Sequence, residues 1–170
     1  MSDIDFNVNV QNDVDFQKIQ RYMAQAAVSV LVGFPSGLPH IDTVHETDED
    51  GNKRTTTRVG GDTADLAREL SVGSSRTPPR PFLEEGIESK KEELKNAIGQ
   101  QLKKLLNDES PNWDRIGTMA VGAVNEFVRS DHYKNTAPNS PEWIKTKGSD
   151  TPLIDGANLI GSLQYVVEKQ

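Results

Sequence analysis

The chain has 170 residues, with 19 basic against 26 acidic side chains, a formal net charge of −7 and no cysteine. That length fits one domain, and the acidic balance excludes sequence-independent nucleic-acid binding, which needs a basic footprint to displace phosphate counterions. Without cysteine there is no disulfide, cysteine zinc site or thiol nucleophile, and no apolar run approaches the ~20 residues that span a bilayer, so a soluble, unexported protein is expected.

Hydrophobic residues make up 34% of the chain and aromatics 6%, with a mean hydropathy of −0.62. This is lean for a self-sufficient monomer, and partner subunits are expected to supply part of the stability. A single-sign acidic surface suits a wall that repels DNA without gripping it.

In residues 1–15, Ile4, Phe6, Val8 and Val10 alternate with Asp and Asn, which predicts an extended arm or marginal strand able to pair with a neighbour. With Asp15 as cap, Phe16, Ile19, Met23 and Ala27 at helical spacing predict a helix over 16–27. The β-branched run 28–34 predicts a buried strand ended by Pro35 and Gly37. Asp50-Gly51 and the polar β-formers Thr55, Thr56 and Thr57 predict a hairpin over 39–61 with an acidic tip.

Asp62 or Thr63 caps a predicted helix to about residue 71, with Ala64, Leu66, Ala67 and Leu70 on its apolar side. A Gly-, Ser- and Pro-rich loop follows over 73–81. Leu83, Ile87, Leu94, Ile98, Leu102 and Leu105 predict one long helix over 82–106, its stripe weakened at Lys90 and Lys91. A second helix is predicted over 113–129 from Trp113, Ile116, Ala120, Ala123, Val124, Phe127 and Val128. Residues 131–150, polar and proline-containing, predict an irregular loop, and alternation over 159–167 predicts a closing strand. The expected fold is α+β: a mixed or mostly antiparallel sheet of 28–34, the hairpin and the last strand, packed against two long helices. Residues 16–170 form the domain and 1–15 its N-terminal arm.

Chemistry-bearing groupings are sparse. His40 and His45, with Asp42, Glu46 and Asp48 nearby, raise a metal site and hence a metal-dependent hydrolase. Residues an odd number apart diverge on a regular strand, so a solvated hairpin is the favoured reading. His132 stands near a helix end, where carbonyl dipoles explain it. No serine sits in a nucleophile elbow, and Gly60-Gly61 and Gly73 read as turn glycines. Glu84, Glu85, Glu88, Glu92 and Glu93 interleave with Lys90, Lys91 and Lys95, a helix surface of pairs worth ~0.2–0.5 kcal/mol each. No catalytic, cofactor or metal residue is assigned.

Two passages carry a family resemblance. The first is Ala67-Arg68-Glu69-Leu70, leading through Gly73-Ser74-Ser75-Arg76 to Thr77-Pro78-Pro79-Arg80-Pro81-Phe82-Leu83. The second is Lys147-Gly148-Ser149-Asp150-Thr151-Pro152-Leu153-Ile154-Asp155, running through Leu159, Ser162 and Leu163. Together with Val32-Gly33-Phe34-Pro35 they resemble, in order and separation, the neck, tail-completion and minor tail proteins of lambdoid and Mu-like tailed phages, the minor tail protein Z type among them. Gly156-Ala157 departs from the family's Thr-Gly, and 70–73 carries extra residues, so the turns are expected to differ.

The resemblance implies a structural virion protein of the neck, forming a homo-oligomeric ring, sixfold or twelvefold, between connector or head-closure and tail-terminator or tail-tube proteins. DNA would pass through its lumen without specific binding. A tail-terminator or minor tail subunit is the nearer alternative. The implied motif and assembly residues are Arg80, Pro81, Phe82, Leu83, Gly148, Pro152, Leu153, Asp155, Leu159 and Ser162. Physically, the prolines restrict the chain before the helix, Phe82-Leu83 anchors its start as a hydrophobic staple does, and Arg80 offers a planar donor fork for carboxylates or carbonyls. Asp155 is expected to cap a turn and Ser162 to satisfy a backbone group. The acidic hairpin and the loop 133–150 are expected to contact other subunits.

Overall fold

The computed structural model describes residues 13–47, 52–75, 78–136, 138–147, 150, 153 and 158–169; residues 1–12 of the expected arm 1–15 and the hairpin tip lie outside them, while 13–15 belong to the first helix instead of the arm. The fold is α+β. In chain order it comprises α1 (Asp13–Ala26), β1 (Val28–Gly33), β2 (Pro39–Thr47), β3 (Lys53–Asp62), α2 (Thr63–Val72), α3 (Phe82–Ser89), α4 (Lys91–Leu106), α5 (Trp113–Arg129), α6 (Asp131–Thr136), α7 (Pro141–Lys147), α8 (Asn158–Gly161) and β4 (Gln164–Lys169).

The strands do not form one sheet, as expected, but two antiparallel pairs, β1 with β4 and β2 with β3. Alternation identifies a strand's faces but not its partner. β1 pairs with β4 over its whole length, from Val28 opposite Lys169 to Gly33 opposite Gln164. In the hairpin, Pro39 lies opposite Asp62 and Ile41 opposite Val59. Two steps on β2 thus match three on β3, so Gly60-Gly61 falls in a bulge rather than a turn.

Asp62 joins the strands to α2. Its side chain accepts from the backbone of Ala64 at 2.8 Å, capping α2, and also accepts from the Gly37 N–H. These two donors hold its carboxyl below the usual carboxylate range.

The predicted long helix is broken at Lys90, whose φ of −117° is not helical. Ser89 Oγ donates to the Gly86 carbonyl at 2.7 Å, and Lys90 Nζ lies 3.4 Å from Glu126 of α5. The weak point in the apolar stripe is therefore the joint between α3 and α4. α3 then crosses α5 at very close range: a Cβ on Gly86 would stand 2.8 Å from Val124 Cα. At α5's other end, a Cβ on Gly117 would overlap the ring of Tyr165 on β4.

Between α4 and α5, buried Gln101 accepts the Asn112 N–H at 2.8 Å, while Asn112's own side chain caps Arg115 at 3.1 Å. A buried glutamine is thus satisfied by the turn it stabilises. The predicted loop 131–150 contains the short helices α6 and α7; Ser130 starts the first, its Oγ accepting the Tyr133 N–H at 3.2 Å. The closing strand begins at Gln164, not 159, because residues 158–161 wind as α8. The core gathers Ala67, Phe82, Val124, Phe127, Val128, Tyr133, Leu159, Ile160 and Leu163. Among the described residues, no helix is long and apolar enough to cross a membrane.

Candidate functional site

The two passages that carried the resemblance meet in space. Phe82 is almost fully buried and stands edge-on to Phe34, with ring centroids 6.0 Å apart. Leu159 is buried in the same cluster, and Leu83 and Leu153 pack against it. Phe82 and Leu159, 77 positions apart in the sequence, thus belong to one core. Truncating a buried aromatic of this kind costs ~3–5 kcal/mol. Leu153 holds a left-handed backbone, φ 57°, and Ser162 Oγ donates to the Leu159 carbonyl at 2.7 Å, satisfying a backbone group as expected. Gly148, Pro152 and Asp155 lie outside the described residues.

Pro81 precedes α3 without a side-chain cap bond. Arg80 anchors the loop from both ends. Its backbone N–H donates to the Leu70 carbonyl at 2.9 Å, and its Nη2 donates to the Pro138 carbonyl at 3.1 Å. The next residue, Asn139, is buried and donates through Nδ2 to the Asp150 carbonyl at 3.3 Å. The segment 138–139 is therefore the strap between the two passages. Arg80 Nε and the Tyr133 hydroxyl are buried here with no acceptor among the described residues. Burial pushes the Tyr133 phenol well above its ordinary value, a shift that nearby Arg80 opposes and Glu85 reinforces.

Asp48 lies outside the described residues, and His45, Asp42 and Glu46 are described by backbone only. Among the described residues, no group of three His, Asp or Glu side chains is placed to hold a metal.

Two apolar surfaces stand open on the fold. Phe16, Ile19 and Met23 form the apolar stripe of α1, yet they are 49%, 53% and 68% exposed. The opposite face of α1 is the one that packs: Lys18 Nζ, Arg21 Nη2 and the Tyr22 hydroxyl lie 2.9, 2.6 and 3.0 Å from the Asp108 carboxylate. This inverts the usual amphipathic arrangement, in which the apolar stripe faces the core. The second surface is an open groove of about 660 Å³ between β1 and helices α3–α5, its walls including Val28, Val30, Val32, Ile98, Leu102 and Trp113. Periodicity marks the stripe of α1 but not what it faces, and the groove arises from packing that no local pattern encodes.

No protein-family model, curated protein or solved structure matches the chain.

Proposed function

We propose that this chain is a structural subunit of a tailed-phage virion, working in the neck or tail-completion region as a homo-oligomeric ring between head connector and tail. Its role is mechanical: joining a capsid vertex to a tail and keeping a DNA passage open. The observation that carries the reading is the convergence of the two resembling passages on one core, with Phe82, Leu83, Leu153 and Leu159 in contact with the same buried cluster. A likeness split between distant segments gains weight when those segments pack as one unit, because the shared pattern then describes a fold. The outward stripe of α1 and the open groove add support, since contiguous exposed apolar surface marks an interaction site. The acidic net charge of −7 suits a conduit that DNA passes without binding.

A phage lacking the chain tests this directly. The expected result is filled heads and free tails that do not join, restored by supplying the protein. Normal joined particles would refute the reading.

A further inference from the structure

We infer that the groove beside β1 receives residues 4–10 of a second copy of this chain, laid down as an added strand. The inference rests on the assembly reading above and names the surfaces involved. The groove is bordered by β1 but by no residue of β4, and its far wall is α4, where Ile98 and Leu102 are 38% and 40% exposed. Val28, Val30 and Val32, alternate residues of β1, line it. A strand alongside β1 would turn every second side chain into the groove, because side chains alternate with a period of two.

Residues 4–10 carry that pattern. Ile4, Phe6, Val8 and Val10 fall on one face of an extended strand, with Asp3, Asp5, Asn7 and Asn9 on the other. Inserted beside β1, the four apolar side chains enter the groove and the polar ones meet water. This is recognition by strand addition, with alternate side-chain pockets supplying specificity.

The position of α1 makes the donor a second copy. Ala26, at the end of α1, lines the groove, and α1's 14 residues rise ~1.5 Å each, so Asp13 begins about 20 Å from that end. Lys18 and Arg21 fix the helix to Asp108, outside the groove. Only Gln11 and Asn12 separate Val10 from α1, and two extended residues span about 7 Å, too little to return along the helix. The same fixation turns Phe16, Ile19 and Met23 outward, extending the donor's apolar surface beyond the strand. Because donor and acceptor surfaces differ, the contact is heterologous, the type that generates a ring when its rotation closes.

The test uses two full-length variants, Phe6→Asp/Val8→Asp in the donor segment and Leu102→Glu at the groove rim, with the native chain for comparison. Mass in solution is measured by sedimentation, and circular dichroism checks that each variant keeps its helix content. The native chain is expected as an oligomer and each variant as a monomer. An equimolar mixture of the two variants is expected as a heterodimer, because one retains an intact groove and the other an intact donor. A monomeric native chain, variants that still assemble, or a mixture that stays monomeric would each overturn the inference. An oligomer insensitive to both variants would overturn it while leaving the virion reading intact; failure of that reading appears separately, in the joining of heads to tails.

Discussion

Arg21 of α1 donates to Asp108 at 2.6 Å across 87 residues of sequence, and this contact, with Lys18 beside it, fixes the first helix to the end of α4. Asp108 is held at a left-handed φ of 61° by the turn after α4, a conformation that Asn tolerates. Asp108→Asn should therefore keep the turn and lose the ion pairs. Hydrogen exchange should rise through 13–26 while the α3–α5 core stays protected. Unchanged α1 protection would mean that the helix is held by something else.

The same contact sets a pH window. The hydrogen bonds from Lys18 and then Tyr22 lower the Asp108 carboxyl, and Lys18 is raised by Tyr22 and Asp108. A depressed acid stabilises the docked helix above its unfolded value, and that stabilisation is lost as pH falls through the folded one. The raised lysine contributes fully below its unfolded value and fades as pH rises through its folded one. Docking of α1 should thus persist across neutral pH and fail in acid below the ordinary carboxylate range. Asp62, lowered by the Gly37 and Ala64 N–H groups, should release the start of α2 in the same acid window, and Asp62→Ala should raise exchange there at neutral pH. NMR-detected exchange against pH checks both.

Glycine substitutions separate close packing from open surface. Gly86→Ala meets the Val124 backbone at 2.8 Å, and Gly117→Ala meets the Tyr165 ring. Each should destabilise by about 1–3 kcal/mol, as overpacking does. Gly122→Ala, on the same helix as Gly117 with nothing within 4 Å, should instead stabilise by up to ~1 kcal/mol through helix propensity. Urea titrations of the three variants decide it; equal effects would contradict the helix placement.

The pattern of what was legible follows from what each signal measures. Helical periodicity located α1 and α5, because Ile116, Ala120, Val124 and Phe127 recur on one buried face of α5. The break at Lys90 showed only as a gap in the stripe, because it depends on Ser89 bonding Gly86 and Lys90 reaching Glu126. The helices α6 and α7 carry no helical signal in sequence because they are mostly polar, while buried Tyr133 secures α6 through a tertiary contact. Within the candidate site, the motif leucines were visible in sequence. Their convergence with Phe82, and the strap through Pro138 and Asn139, arise only from tertiary packing.

Tyr133→Phe probes the corner beside Arg80. The hydroxyl is buried with no acceptor among the described residues, so removing it should leave stability unchanged or raise it, since an unsatisfied buried polar group costs ~1–3 kcal/mol. The variant should also resist alkaline unfolding, because burial disfavours the phenolate, so the native tyrosine opposes the fold once pH rises above the ordinary phenol value and ionisation is forced. A clear loss of stability would identify an acceptor for the hydroxyl.

Cryo-electron microscopy of virions carrying an epitope-tagged copy tests the central claim most directly. The account predicts tag density at the head–tail junction, arranged as a closed ring around the DNA passage. Virions that assemble normally with no label at the junction would contradict it.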